Sequence, residues 1–219
     1  MKDLDTLISN YIHEDSDELY LSFPPISEIE ELKAFYALER KAYKYARNFF
    51  LLLDVSGIGV KPELLPIKFR DEMAGIARAV DNDEEYAKGC FASGNGITSA
   101  VKQAVIYIDL PRQKRAVLGK KLKQYIRHEV IHYYLWLQDL PNDDDCALFW
   151  AYCNIYDGGA YASMDDEEQS KYDEFMEKRK EYPQARYASL RLLANAVIMK
   201  DKNAMQAFQF RYEFEKQFQ

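Results

Sequence analysis

Two histidines and a glutamate at positions 128, 129 and 132 are the residues of this chain best suited to chemistry. They lie in the segment YIRHEVIHYYLW, which runs from Tyr125 to Trp136. On an α-helix, side chains four residues apart share one face, so His128 and His132 can reach a single metal ion. Glu129 lies on the flank of that face, where its carboxylate can hold a water molecule and accept its proton. The pattern predicts a zinc site, and the alternative is a pair of core histidines bonded to backbone carbonyls.

Zinc requires a third protein ligand, and the segment NDDDCALF that follows the helix offers four candidates. They are Asp143, Asp144, Asp145 and Cys146. The helix is expected to stop at Pro141, after which the chain turns back and a second helix begins in ALFWAYC. Asp145 then falls at the N-cap or first turn of that helix, so Asp145 is the predicted ligand and Asp144 the nearest alternative. A fourth protein ligand such as Cys146 or Cys153 would instead indicate a zinc-containing binding protein without catalytic activity.

The elements that must position these residues are predicted from hydrophobic periodicity. Apolar residues recur at helical spacing after Pro24-Pro25 and predict a long N-terminal helix that ends near Gly57 and Gly59. The segments LPIKFRDEM and AVIYIDL are expected to be strands, and the second is a candidate edge strand for an extended substrate. Beyond Tyr161 the pattern predicts two or three helices. The fold class is therefore α+β, with a small antiparallel sheet packed on the helix that carries the histidines and a helical C-terminal extension.

Composition places the chain among proteins with one sizeable core and extensions. It has 219 residues, of which 48% are hydrophobic, and no apolar run approaches the length of a membrane span. The N-terminus lacks the features of a signal peptide, and three cysteines without CxxC spacing are typical of reduced thiols, so we expect a cytoplasmic protein. The predicted divisions are an acidic segment (1–27), a core domain (28–160) and the helical extension (161–219).

The net charge of −7 is concentrated at the N-terminus. Residues 1–31 contain nine acids and one base, whereas residues 32–219 contain 28 bases and 27 acids. Basic residues are dense just before the two histidines: Arg112, Lys114, Arg115, Lys120, Lys121, Lys123 and Arg127. A solvated helix face is the simpler interpretation of this density, and contact with DNA is the alternative.

The segment GKKLKQYIRHEVIHYYLWLQ, followed by DCALFWAYC, resembles the SprT-like family of zinc metallopeptidases, which belong to the zincins. In that family a strand leads into a helix with HExxH, and a loop then supplies the third ligand in a pattern similar to H-G-x-x-F. Phe149 matches the phenylalanine of that pattern, and Asp145 stands in the place of the third histidine. The upstream segment GCFASGNG, followed by AVIYIDLP, also resembles the glycine-led hairpin and the I-x-I-S strand of that family. The resemblance covers roughly residues 60–160 and implies a zincin-like fold, peptide hydrolysis, and proteins crosslinked to DNA as substrates.

A second resemblance is to ImmA/IrrE-like peptidases, in which an acidic ligand follows HExxH in a helix similar to DCALFWA. That family acts on regulators of mobile elements. Both resemblances imply a Zn²⁺ ion held by His128, His132 and a third residue, a protein or peptide substrate, and Glu129 as the general base. An aspartate as third ligand departs from the SprT-like pattern and agrees with the ImmA/IrrE-like one. Tyr152, Tyr156 and Tyr161 are candidates for stabilising the oxyanion of the reaction, and the residues alone do not choose among them.

Overall fold

The computed structural model of the chain describes residues 26–53, 61, 64–71, 76–77, 86–87, 89–95, 102–111 and 114–218. Residues 1–25 of the predicted acidic segment, and the predicted helix end at Gly57 and Gly59, lie outside this part of the chain. The elements within it follow in this order: α1 (Ile26–Leu52), β1 (Ile67–Asp71), β2 (Ile76–Ala77), β3 (Tyr86–Ala87), β4 (Gly89–Asn95), β5 (Lys102–Leu110), α2 (Lys120–Leu137), α3 (Ala147–Tyr156), α4 (Asp166–Lys180), α5 (Tyr187–Ile198) and α6 (Lys202–Lys216). The mixed α+β class is as predicted.

Helix α1 is the long N-terminal helix that the sequence predicts. Its buried residues recur every three or four positions and form one face, which Leu53 continues just past the end of the helix: Phe35, Leu38, Ala42, Ala46 and Phe49. This face packs on α2, where Phe50 lies 5.5 Å from Tyr133 between ring centroids. The opposite face carries Arg40, Lys41 and Lys44, which are exposed.

Strand β5 is the centre of a three-stranded sheet. It pairs with β1 on one side and with β4 on the other, and both β4 and β5 pack against α2. Ile106, Ile108 and Leu110 are buried and alternate along β5, as expected for a strand with one face in the core. A separate pair of two-residue strands, β2 and β3, is antiparallel.

The prediction of an antiparallel sheet is wrong for the β1–β5 pair, which is parallel, whereas β4 pairs antiparallel with β5. Side-chain alternation reports which face of a strand is buried and carries no information about strand direction. Parallel neighbours need a long connection, and the roughly 30 residues between β1 and β5 are long enough for it. The prediction that β5 is an edge strand is wrong as well, since β5 has a partner on each side.

The C-terminal helices α4, α5 and α6 belong to the same hydrophobic core as α2 and α3. Helix α5 contributes Leu190 and Leu193, and its Arg191 donates to the backbone carbonyl of Leu53 and to the Tyr134 hydroxyl. Helix α6 packs on α5 through Phe208, which is fully buried. Helix α4 is attached less extensively, because Phe175 is its one buried side chain. The helical character of this region is as predicted, and the boundaries at residues 27 and 160 remain predictions.

None of the helices in the described part of the chain combines the length and apolarity that crossing a bilayer requires.

The packing of α6 can be tested with two phenylalanines of that helix. Phe208 is fully buried, whereas Phe210 is 79% exposed. Phe208→Ala should lower the free energy of unfolding by about 3–5 kcal/mol, because it leaves a cavity in the shared core. Phe210→Ala should change it by less than about 0.5 kcal/mol. Urea denaturation measures both, and equal losses would contradict a core that extends into α6.

Candidate metal centre

Helix α2 carries His128, Glu129 and His132 in its most buried stretch. Each of the three side chains belongs to a residue that is only 6% exposed, and every residue from 128 to 135 is buried. The helix begins after Gly119, and beyond its end the chain passes through Asp139 in a left-handed conformation (φ 55°) before reaching Pro141. The spacing of four residues places the two imidazoles one turn apart, with their Nε2 atoms 3.2 Å from each other.

Both imidazole rings are oriented by backbone carbonyls from the loops that flank α3. The Nδ1 of His128 lies 2.9 Å from the carbonyl oxygen of Gly159, and the Nδ1 of His132 contacts the carbonyl oxygen of Asn142. Because a carbonyl oxygen can only accept, each Nδ1 carries a hydrogen, and in the neutral imidazole each Nε2 therefore keeps its lone pair. Metal-binding histidines are typically held in this way. The histidine–carbonyl hydrogen bonds expected for two core histidines are thus present. In addition, the Nε2 atoms of the two rings converge on one point.

Asp144 supplies a third donor atom at the same point. Its Oδ1 lies 3.1 Å from the Nε2 of His128 and 3.3 Å from the Nε2 of His132. A tetrahedral zinc ion with bonds of about 2.0–2.1 Å keeps its ligand atoms about 3.3 Å apart, so the three edges fit such an ion. Two imidazoles and one carboxylate are also an ordinary donor set for zinc. His128, His132 and Asp144 could therefore hold a metal ion.

The electrostatics of these three residues favour a positive charge between them. When the imidazoles are protonated, the Nε2–H groups of His128 and then of His132 donate to the Asp144 carboxylate, and these hydrogen bonds hold its pKa far below the usual range. Burial lowers the pKa of His128, but Asp144, the charge of Glu129 and the Gly159 carbonyl more than offset it, so that the pKa is raised. Two buried imidazoles and a half-buried carboxylate whose acceptor atoms face one another repel unless a proton or a metal ion lies among them.

Asp144 takes the place for which the sequence predicted Asp145, and Asp145 is exposed. The reason lies in the turn before α3, where the amide of Cys146 donates to the carbonyl of Asp143. In this turn Asp143 and Asp145 face solvent while Asp144, between them, faces the histidines. The N-cap of α3 is Cys146, so none of the three aspartates occupies the capping position.

No fourth histidine, cysteine, aspartate or glutamate within the described residues joins the group of three donors. Cys146 and Cys153 are free and buried, and burial raises the pKa of the Cys146 thiol to about 11 and that of Cys153 well above its usual value. Both thiols are therefore protonated at neutral pH, and neither sulfur belongs to the group of three donors. Glu129 is buried beside the group without being part of it.

Aromatic rings enclose the two imidazoles. Phe149 of α3 is fully buried, stacks on His132 at 3.9 Å and meets His128 edge-on at 4.9 Å between centroids. Phe91 of β4 lies parallel to the His132 ring at 6.0 Å. Phe149, which the sequence singled out through a family pattern, thus fixes the planes of both rings.

The three candidate tyrosines occupy different places. Tyr152 and Tyr156 are buried, and the hydroxyl of Tyr152 donates to Asn195 of α5. Tyr161 is 63% exposed, and its ring centroid lies 5.5 Å from that of His128. Burial, followed by neighbouring groups that include Glu129, raises the pKa of Tyr161. Its hydroxyl therefore stays protonated at neutral pH and can donate a hydrogen bond.

Several residues that hold the site were not found from the sequence. Gly159 has φ +73°, a conformation that strains other residues, and a Cβ there would come within 2.6 Å of the Tyr161 hydroxyl, so glycine favours the backbone that presents the carbonyl to His128. Arg127 reaches Asp157 with two hydrogen bonds of 2.8 and 2.6 Å and so anchors the same loop to α2. The pair Gly158-Gly159 is a signal of a turn that the sequence contains. The role of Asp157 depends on its contacts with Arg127, which no sequence pattern indicates.

Comparison of the chain with protein-family models, with curated proteins and with solved structures finds no match.

The ligand set can be tested by comparing Asp144 with Asp145. Asp144→Ala should weaken zinc binding by more than about 100-fold, since even the loss of an outer-shell partner costs roughly 10–100-fold. Asp145→Ala, the matched control with the same change of charge one residue away, should leave the affinity nearly unchanged. His128→Ala and His132→Ala should each lose zinc. Titration against a chromophoric chelator measures all four, and equal affinity of the two aspartate variants would exclude Asp144 as a ligand.

Proposed function

We propose that the protein is a zinc-dependent metallopeptidase. One observation carries the proposal: three donor atoms at the edge lengths of a zinc tetrahedron, with no fourth protein donor among the described residues and a buried glutamate adjacent. A structural zinc site is normally closed by four protein ligands, whereas a catalytic one keeps a position for water or substrate. His128, His132 and Asp144 would hold the ion in this proposal.

In the proposed hydrolysis, Glu129 and Tyr161 would act on a peptide bound at the zinc ion. Bound zinc would polarise the carbonyl of the scissile peptide bond and lower the pKa of a water molecule beside it. Glu129 accepts the proton of that water and delivers it to the nitrogen of the leaving amine. Tyr161, protonated and partly exposed next to His128, is the tyrosine best placed to donate to the oxyanion. The burial of Glu129 keeps its carboxylate away from competing solvent.

Strand β4 is the strand along which an extended substrate peptide is proposed to bind. It pairs with β5 alone among the described strands, so its outer edge could accept a further strand. Phe91 in the middle of β4 stacks near His132, which places the strand beside the donor group. A peptide on this edge would present a backbone carbonyl close to the histidines.

The resemblances noted in the sequence suggest two classes of protein substrate, and each agrees with a different feature. An acidic third ligand, here Asp144, is the arrangement of ImmA/IrrE-like peptidases, which cleave regulators. Phe149 matches the phenylalanine of the SprT-like pattern, although that pattern places the ligand at Asp145 rather than Asp144, and SprT-like peptidases cleave proteins crosslinked to DNA. The alternative to an enzyme is a binding protein that contains zinc but has no activity. The lack of a fourth protein ligand among the described residues disfavours this alternative.

A basic face supports association with DNA as a second proposal. Residues 40–53 and 114–127 contain no acid, and the two segments meet where Lys41 donates to the Ala116 carbonyl at 2.7 Å. Lys123 lies over the ring of Tyr45, which extends the contact along both helices. We define the basic face by its exposed members: Arg40, Lys41, Lys44, Lys114, Arg115, Lys120 and Lys121. Such clustering in a chain of net charge −7 suits a polyanion.

The role of Glu129 is tested by Glu129→Gln, which keeps the shape of the side chain but cannot accept the proton. Hydrolysis of a labelled unfolded protein should fall by about 10²–10⁴-fold, while zinc affinity stays at the wild-type value. Glu167→Gln, an exposed glutamate on α4, is the matched control and should retain full activity. Wild-type rates in the Glu129 variant would refute the assigned role, and a zinc-loaded wild type that cleaves neither unfolded nor DNA-bound proteins would favour the binding protein.

The basic face is tested by the double variant Lys120→Glu with Lys121→Glu. We expect it to weaken binding of a fluorescent oligonucleotide strongly, and we expect wild-type affinity to fall steeply with salt concentration. Lys200→Glu with Lys202→Glu changes the charge by the same amount at exposed positions next to α6 and should have little effect. Fluorescence anisotropy measures both, and equal effects of the two double variants would argue against a defined face.

A further inference from the structure

Helix α3, whose N-terminus follows the Asp144 turn, has no cap of its own. Cys146 at the N-cap makes no side-chain capping hydrogen bond, and the first turn of the helix contains no acidic residue. The free backbone amides of a helix start require an acceptor, and an acidic group there is also favoured by the helix dipole. This acceptor comes from another helix: Oε2 of Glu168 on α4 accepts from the amide of Ala147 at 2.6 Å.

Helix α4 also contacts the Asp144 turn indirectly, through Trp150 of α3. The indole Nε1 of Trp150 donates to the backbone carbonyl of Asp144 at 2.8 Å and so holds the ligand residue directly. The Trp150 ring packs edge-on against Tyr172 of α4, with centroids 5.9 Å apart. Tyr172 follows Glu168 by four residues, and the two side chains therefore share one face of α4. This face contacts α3 at two places in its first turn, the Ala147 amide and the Trp150 ring.

The carboxylate of Glu168 is itself held in place. Its backbone amide donates to Asp165, the N-cap of α4, and its Oε1 lies 2.6 Å from the Nζ of Lys171. Glu167 is a neighbour with the same ion pair, since its Oε1 lies 2.7 Å from the same Nζ. The side chain of Glu167 is 78% exposed, whereas that of Glu168 is 26% exposed and faces α3. The two glutamates thus share the ion pair with Lys171 and differ in burial and in the contact with Ala147.

We infer that Glu168 is a positioning residue of the metal centre, which fixes the start of α3 and through it the carboxylate of Asp144. The inference rests on the proposed metal site and adds α4 to the elements that determine its affinity. Metal ligands lose affinity when the groups that orient them are removed, even where every ligand atom remains. Glu168 contacts none of the three donors; it acts through the backbone of the turn.

The test is zinc affinity, measured by chelator competition on the full chain. Glu168→Ala should weaken zinc binding by about 10–100-fold, and Glu168→Gln, which keeps an oxygen that can accept from Ala147, should recover most of that loss. Glu167→Ala removes an ion pair to Lys171 but no contact with α3, and should match wild type. Trp150→Phe, which removes the indole N–H together with part of the ring, should also weaken zinc binding and carries the test if Glu168→Ala does not fold.

A purely structural role for Glu168 is separated by two further measurements. Ser189→Ala removes a buried hydrogen bond to Glu215 in the same C-terminal helices, away from the turn, and should lower stability without changing zinc affinity. Cobalt substituted for zinc should show an altered visible absorption in Glu168→Ala and a wild-type spectrum in Ser189→Ala. If Glu168→Ala and Glu167→Ala bind zinc equally, the inference is overturned while the metal centre stands. A wild type that binds no zinc overturns both.

Discussion

The two hydrogen bonds from imidazole Nδ1 atoms to backbone carbonyls are the interactions on which the candidate site depends. His128 bonds to Gly159 and His132 to Asn142, and the two carbonyls come from opposite ends of α3. They determine which nitrogen carries the hydrogen, and so turn two Nε2 lone pairs toward the same point. Without them, two buried imidazoles one helical turn apart could adopt several tautomers and ring orientations.

The rest of the fold can be understood as support for those two loops. Arg127 on α2 anchors the loop of Gly159 through Asp157, and its Nη1 also donates to the hydroxyl of Tyr45 on α1 at 2.6 Å. The loop of Asn142 is short and is bounded by the end of α2 and the start of α3. Phe149 lies between the loops and packs against both rings. A buried polar group is tolerated only where its partners are supplied, and here both loops supply them.

What the sequence could predict was set by how local each feature is. The common face of His128, Glu129 and His132 follows from helical periodicity and was predictable from five residues. The choice between Asp144 and Asp145 depends on a single turn, where one residue reverses the side that a carboxylate faces, and the boundary of α3 was not predictable to that accuracy. The direction of β1 and the contact from Glu168 to Ala147 depend on residues far apart in the chain. No pattern in either segment alone contains that information.

Helix α4 has only Phe175 fully buried, yet it caps the helix that follows the Asp144 turn. Segments with few buried apolar contacts open by local unfolding at a smaller free-energy cost than the core. Opening of α4 would release the Ala147 amide and loosen the carboxylate while α2, with both histidines, stayed folded. The lifetime of a bound ion would then be governed by the local opening of α4, and amide exchange in α4 would slow when the ion is present.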